Sequence, residues 1–481
     1  MIADLKPYPE YKNSDSPWLG RLPAHWQLPR LGSVLRERGE TNEARQVDQV
    51  LSVMKDIGVI RYEDKGNVGN KKSEDTARYK VVRPDDIVVN CMNVIIGSVG
   101  LSRYTGCLSP VYYVLTRRSQ DDEPRYLNAV FQTKPFQLSL IRIGNGILAH
   151  RMRIPMELLK CEPFPIPPSD EQAAIVRFLD HANRRLERTI QAKRKVIALL
   201  NEQKQAIIYR AVTRGLDPNV PLKPSGIPWL GDIPAHWEVI SVGAATSLLQ
   251  TGPFGSQLHS HEYVTGGTSV INPSHMRDGR ITPDPSISVT PLKMRELERH
   301  RVCVGDIVAA RRGELGRCAL VTPVEEGWLC GTGSLLIRCK PSMFVPTYFQ
   351  LVFSSRGIRD SLSLASIGAT MDNLNGGMVA RLRMPLPPLP EQHQIVELVE
   401  TENRRHEVAT STLRHEIALL REYRTRLIVD VVTGKLDVRA AAANLPDESS
   451  EPEALIEADA LADGEDTADG DLDAAPEEAE A

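Results

Sequence analysis

The sequence predicts an α+β protein made of two copies of one unit, each a mixed α/β block followed by a long helix. Three observations predict it. The segment Trp18-Leu19-Gly20-Arg21-Leu22-Pro23-Ala24-His25-Trp26 returns as Trp229-Leu230-Gly231-Asp232-Ile233-Pro234-Ala235-His236-Trp237, a shift of 211. The stretch 165–217 returns as 385–437, a shift of 220, with 22 identities in the 54 positions aligned from 164 and 384. Matched strand-like runs lie between these anchors. A period above 200 residues makes each repeat a domain and not a solenoid turn. The expected order is a block over 12–164, a helix over 165–217, a second block over 222–384, a second helix over 385–438, and a tail over 445–481.

Each helix has a start and a stop. Pro165-Ile166-Pro167-Pro168 cannot be helical, and Ser169-Asp170-Glu171-Gln172 then offers a cap with Gln three residues on. In the second copy Pro387-Pro388-Leu389-Pro390-Glu391-Gln392 places Pro390 at a first helical position. Thr213-Arg214-Gly215 and Thr433-Gly434-Lys435 supply glycine for a left-handed end. About 44 residues at 1.5 Å each span roughly 66 Å. The apolar stripe runs through Ile175, Leu179, Leu186, Ile197, Leu200 and Ile207 in one copy, and through Ile395, Val399, Leu413, Ile417, Leu420 and Leu427 in the other. Spacings of three and four mark a narrow coiled-coil seam. So thin a stripe on a long helix needs a partner, and the simplest partner is the duplicate, running antiparallel with pseudo-two-fold symmetry.

The blocks match in their strands and differ between them. Asp86-Ile87-Val88-Val89 pairs with Asp306-Ile307-Val308-Ala309, and Val111-Tyr112-Tyr113-Val114-Leu115 with Ser334-Leu335-Leu336-Ile337. Asn90-Cys91-Met92-Asn93 stands where the second copy has Ala310-Arg311-Arg312-Gly313. A shared scaffold with different loops is what two readers of different targets would show.

Composition is ordinary, with 41% hydrophobic and 25% charged residues. There is no run of 18 apolar residues and no signal-peptide core at the N-terminus, so no membrane span is expected. Seven scattered cysteines without a Cys-x-x-Cys read as a reduced, cytoplasmic protein. The net charge of −4 hides an asymmetry. Residues 447–481 hold 15 acidic residues and no Lys or Arg, which leaves 58 basic against 47 acidic residues elsewhere. A basic body suits a polyanionic partner, and an Ala/Asp/Glu tail reads as disordered. That tail is either a solubilising appendage or a mimic that competes with DNA for the basic face.

Catalytic signatures are missing. There is no phosphate-binding Gly-x-x-x-x-Gly-Lys-Ser/Thr, no Gly-x-Ser-x-Gly elbow, and no Asn/Asp-Pro-Pro-Tyr/Phe of an aminomethyltransferase. Pro84-Asp85 with Glu63 and Lys65 has the wrong order for a nuclease and no counterpart in the second copy. His259, His261 and Cys330 lack ligand-spaced companions for a metal. His25 and His236, flanked by Pro and Trp, read as packing residues. What remains is basic and polar loop chemistry: Lys71, Lys72, Arg78, Lys80, Asn90 and Asn93 in the first block, and Asn272, His275, Arg277, Arg280, Arg311, Arg312 and Arg317 in the second. Arg contacts guanine and Asn contacts adenine bidentately in the major groove, while Lys and Arg neutralise phosphate without reading sequence.

With the paired Trp-Leu-Gly…Pro-Ala-His-Trp, the entry 385–392 and its partner 165–172, and the helices that follow, the chain resembles the specificity subunit of a Type I restriction–modification system. Thr251-Gly252-Pro253-Phe254-Gly255-Ser256, Ile271-Asn272-Pro273-Ser274-His275 and the Gly368–Leu374 segment add to the resemblance. It covers about 15–438. It implies that each block is a target recognition domain reading half of a bipartite, asymmetric duplex DNA sequence, and that the paired helices fix the gap. It further implies two methylation subunits carrying S-adenosylmethionine, translocating restriction subunits using ATP and Mg, and no catalysis or cofactor in this chain. A stand-alone bipartite DNA-binding regulator is the alternative.

Overall fold

The computed structural model describes residues 5–55, 57–66, 72–73, 75–146, 152–254, 257–277, 279–366 and 374–446. Two units emerge from the packing. One takes the chain up to Lys193 and then everything from His415 on; the other is the continuous stretch Arg194–Arg414. The division falls inside the two long helices, α1 (Ser169–Arg214) and α2 (Leu389–Val432). Each unit therefore holds one block, the first part of one helix and the last part of the other.

The first block is built on an antiparallel sheet of β1 (Leu35–Glu37), β2 (Ile87–Asn90), β3 (Val99–Leu101) and β4 (Tyr112–Arg117), in the order β1-β4-β2-β3. The second is built on β5 (Thr246–Thr251), β6 (Ile307–Ala310), β7 (Cys318–Leu320) and β8 (Ser334–Cys339), in the order β5-β8-β6-β7. The two topologies are the same. Their central pairings also correspond, with Val114 opposite Val88 and Leu336 opposite Val308.

Successive strand residues point to opposite faces, and here both faces are covered. Ile87, Val89, Tyr113 and Leu115 join a core that includes Ile175, Phe178, Leu179, Leu427 and Val431 from the helices. Val88 and Val114 pack the other way, with Leu51 and Val53. In the second block Ile307, Ala309, Leu335 and Ile337 face a core shared with Ala211, Val212, Ile395 and Val399, while Val308, Ala310 and Leu336 face Ile271, Met276 and Cys330. Burial on both sides is why these strands read as continuous apolar runs. The outer layers differ. The first block carries the hairpin Leu51–Met54 with Gly58–Arg61 and the pair Lys80–Val82 with Gly106–Leu108. The second carries Thr268–Ile271 between Ser288–Val289 and Leu329–Cys330, the latter pairing parallel.

Asp86 and Asp306, each 1% exposed, explain their recurrence in the sequence. Each accepts a backbone N–H of a tight turn, from Arg83 at 2.8 Å and from Cys303 at 2.7 Å. Each also takes a two-pronged guanidinium, Arg38 at 2.8 and 2.9 Å and Arg338 at 2.7 Å for both prongs. A buried carboxylate is tolerated when its oxygens are matched in this way.

Within the first unit the helix ends run antiparallel. Lys193 meets Glu416 at 2.6 Å, and Glu187 meets Arg424 at 3.3 Å, so partner numbers rise as the first helix is followed back. Ile175, Leu179, Leu186, Ile395, Val399, Ile417 and Leu427 are buried. Ile197, Leu200, Ile207, Leu413 and Leu420 are half-buried, as a two-helix seam leaves them.

The helices are locked to the blocks twice by the same device. Glu171 accepts from His25 Nε2 at 2.8 Å and from Trp26 Nε1 at 2.9 Å; Glu391 accepts from His236 Nε2 at 2.8 Å and from Trp237 Nε1 at 2.9 Å. The adjacent Gln does not close a capping box. Gln172 reaches the Glu123 N–H at 2.9 Å and the Pro167 carbonyl at 3.0 Å, and Gln392 reaches the Val345 N–H at 2.8 Å and the Pro387 carbonyl at 2.9 Å. Both helices stop at glycines in the left-handed region, Gly215 at φ 71° and Gly434 at φ 74°. The close approach needs glycine as much as the dihedral does. A Cβ on Gly434 would lie 2.5 Å from Pro23 Cδ, and one on Gly215 would lie 2.8 Å from Glu391 Oε1 and 3.1 Å from the Trp237 ring.

The first unit adds a closure between chain ends. Lys6 bridges to Asp437, Tyr11 donates to the Gly434 carbonyl at 3.2 Å, and Tyr8 donates to Glu171 while Arg439 lies 5.2 Å over its ring. Burial and then the Glu171 carboxylate push the Tyr8 phenol well above its usual range, so it stays a donor.

Gly434→Ala is expected to lose clearly more stability in urea unfolding than Gly20→Ala. Both sit at positive φ, which costs about 1–2 kcal/mol for an L side chain. Only Gly434 also meets Pro23, because nothing lies within 4 Å of a Cβ on Gly20. Equal losses would remove the close-packing role.

Candidate nucleic-acid interface

The basic residues picked out by the sequence separate into two groups. Lys72, Arg78, Arg277, Arg280 and Arg312 are exposed. Arg280 is 82% exposed and lies 4.0 Å from Glu407 at the limit of an ion pair. Lys71 lies outside the described residues, as do positions 368–373 of the Gly368–Leu374 segment.

The other group is bound into the fold. Lys80 donates to Glu37 at 3.0 Å and to the Tyr112 carbonyl at 2.8 Å, and its ammonium sits 5.4 Å from the Tyr113 ring. It ties the pair Lys80–Val82 to the central sheet. His275 is 8% exposed, with Nδ1 3.0 Å from the Val270 carbonyl. With Asn272 it closes a capping box on the turn Pro273–His275. Arg311, also 8% exposed, donates to the Leu374 carbonyl at 2.8 Å. Burial and then the neighbouring Arg312 lower its pKa from the usual guanidinium range. Asn90 accepts from the Met92 N–H at 3.0 Å, and Asn93 is half-buried ahead of the turn Val94–Ile96. Arg317 is held by Glu314 at 3.0 Å and reaches the Pro273 carbonyl at 3.4 Å.

Two aromatic groups escaped the sequence reading. Phe254 is 52% exposed, and the Arg311 guanidinium lies 5.5 Å from its ring. Tyr62 gathers cations in the first block, with Lys65 Nζ at 4.8 Å and Lys72 Nζ at 5.8 Å from the ring, while its hydroxyl accepts the Lys72 N–H at 2.9 Å. Cations over aromatic faces keep their charge and gain a fixed direction. The Gly252-Pro253-Phe254 turn was the only signal available for the first, and nothing local marked the second.

Each block therefore presents exposed cations and a cation-loaded aromatic on segments outside the matched sheet. Such groups can meet phosphates and stack on or wedge against bases. Among the described residues no group of three or more His, Cys, Asp or Glu side chains is placed to hold a metal ion. Nor, among them, is any helix long and apolar enough to cross a membrane.

Residues 256–417 match the family model of the Type I restriction modification DNA specificity domain. The chain is 21% identical over 426 residues to the MjaVIII specificity subunit of Methanocaldococcus jannaschii, covering 87% of this chain and 95% of the relative. It is 24% identical over 461 residues to the putative MjaX specificity subunit of the same organism, covering 91% of this chain and all of the relative. It shares its fold with a chain from a structure described as the basis of complex assembly and conformational transition of the type I R-M system. That match has a TM-score of 0.62 at 15% identity over 86% of this chain and 99% of the other. Residues 256–417 thus resemble a Type I DNA specificity domain, and most of the chain is similar to Type I restriction enzyme specificity subunits.

Arg311→Ala should lower stability by about 1.5–3 kcal/mol, the worth of a hydrogen bond to a charged group. Arg312→Ala, on the surface beside it, should stay within about 0.5 kcal/mol. Thermal unfolding of the two variants side by side checks this; equal effects would mean Arg311 is not holding the 374 segment.

Proposed function

We propose that the chain supplies the DNA address of a Type I restriction–modification complex and performs no chemistry itself. Each block reads one half of a bipartite, asymmetric duplex sequence. The paired helices fix the gap between half-sites and dock two methylation subunits, with restriction and translocation subunits joining to cleave. S-adenosylmethionine, ATP and Mg belong to those partners, and the target adenine is flipped into a partner's pocket.

The observation that carries this reading is the pairing of one conserved frame with two different outer layers. The sheet order, the buried Asp–Arg fork and the Glu–His–Trp lock repeat, while the cation-bearing segments do not. Evolution has kept the mounting and varied what is mounted, as two readers of unlike half-sites require. The helices support the docking role through apolar side chains left in solvent. Leu199 is 53% exposed and its repeat equivalent Leu419 is 49% exposed, and Val196 and Tyr423 lie one helical turn from them. A regulator working alone has no need of such faces.

Methylation mapping by sequencing tests the whole reading. DNA from cells expressing this chain with its neighbouring methyltransferase should carry a gapped, two-part adenine motif that is absent without the chain. No motif, with the methyltransferase folded and bound, would favour a DNA binder acting outside modification. Four residues inserted between Arg210 and Gly215 add about one helical turn, roughly 6 Å. The expected outcome is the same two half-sites at an altered gap, and an unchanged gap would remove the ruler role from the helices.

A further inference from the structure

Granted the DNA-reading role proposed above, we propose that Arg299 reads a guanine in the half-site of the second block and that buried His300 is the positioning residue that aims it. Arg299 is exposed on the short turn Glu298–His300, and His300 beside it is 1% exposed. Arg299 Nε donates to His300 Nε2 at 3.0 Å. A guanidinium only donates, so Nε2 is the bare nitrogen of an uncharged ring. Burial and then the Arg299 charge push the His300 pKa down to about 4, which keeps the ring in that form at neutral pH. The other ring nitrogen faces the Gln250 side-chain amide at 2.9 Å, and that amide donates to the Arg299 carbonyl at 3.2 Å. Side chain and backbone of Arg299 are thereby tied to the end of β5, an edge strand of the sheet.

The turn is held on both sides. Leu297 packs with Leu258, Val270 and Leu329, and Val302 packs with Ile271, Met276 and Cys330, so Arg299 belongs to the outer layer in which the two blocks differ. The acids next to it in the chain are engaged elsewhere, Glu298 with Arg301 at 3.1 Å and Glu296 with Lys293 at 3.2 Å. A carboxylate partner would offset the guanidinium charge and occupy its paired donors. The uncharged imidazole does neither. It takes only Nε, and among the described residues no hydrogen bond or ion pair takes the two terminal nitrogens. Two parallel donors on a fixed planar fork match the N7 and O6 acceptors that guanine shows in the major groove. A phosphate contact needs the charge but not the aim, and aim is what His300 supplies. Exposed Phe254 follows Gln250 by four residues, at most about 14 Å along the chain, so the oriented arginine and the exposed ring share one end of the block.

Arg299→Ala tests this in the full chain assembled with its neighbouring methyltransferase. Once methylation mapping has given the motif, methylation rates are measured on duplexes in which each base pair of both half-sites is exchanged in turn. The wild type should reject exchange of one G·C pair by about 10- to 100-fold. Arg299→Ala should lose that rejection at that pair alone and keep every other preference. His300→Leu removes the acceptor and should relax the same pair by at least about five-fold, whereas His300→Gln keeps an acceptor and should relax it less. Arg299 is exposed, so its variant reports even if the buried variants fail to fold. Uniform weakening on all duplexes, with each preference intact, would make Arg299 a phosphate contact and overturn base reading. Rates unchanged by Arg299→Ala would overturn it as well, while a motif that persists in the wild type leaves the DNA-reading role of the block standing. Relaxation by Arg299→Ala with none by a folded His300→Leu would remove the positioning role. A wild-type complex that prefers no sequence would take away the DNA-reading role itself, and Arg299 with it.

Discussion

A buried carboxylate at the first turn of each long helix is the interaction on which the architecture depends. Glu171 has a side chain only 2% exposed, and such a group is tolerated only because donors from a distant segment surround it. His25, Trp26 and Tyr8 provide them. Glu391 is less enclosed, at 20%, because no phenol closes over it; the residue that matches Tyr8 at the repeat shift is Asn219. In both copies the carboxylate also sits near the positive end of a helix, where negative charge is favoured. The lock gives each helix a fixed direction relative to its own block. A helix free to swivel at Pro168 or Pro388 could not transmit a defined spacing to anything bound at the block.

The neighbouring Gln fixes the same joint from the other side, gripping the backbone that leads into Pro124–Gln132 or Pro346–Phe353. A pair of residues thus ties three pieces of chain: the Trp motif, the start of the helix, and the helix that packs under the sheet. This explains why Glu-Gln recurs unchanged while the positions around it drift. The glycine at the far end of the other helix completes the joint by allowing backbone to rest against the Trp ring.

Much of this frame was legible in the sequence. Duplication, proline entry and glycine exit gave the two helices, and continuous apolar runs gave the strands. The role of Glu171 was not legible, because its partners lie about 145 residues away and no local pattern links them. Gln172 read as a cap for the same reason: local spacing suggested a local bond, whereas Ser169 is already helical and the amide turns outward to Glu123. The cationic residues show the limit most clearly. Lys72 and Lys80 look alike as letters, yet one is exposed beside the Tyr62 ring and the other is half-buried between a carboxylate and a carbonyl. Only packing separates a lysine that holds a sheet from one that meets solvent. His275 and Arg311 were drawn inward likewise, by a turn and by the 374 carbonyl.

The split of the first unit across both ends of the chain has a consequence for synthesis. The stretch Arg194–Arg414 contains every residue of the second unit, so that unit can finish folding while the ribosome still holds the C-terminus. The first block, although made first, shares its core with Leu427, Val431, Val438 and Ala442. Until those residues emerge, its apolar surface lacks a cover and Tyr8 and Tyr11 lack part of their setting. The nascent chain must therefore carry a finished younger domain and an unfinished older one at once, and its last turn of helix is the piece that completes the first domain it began.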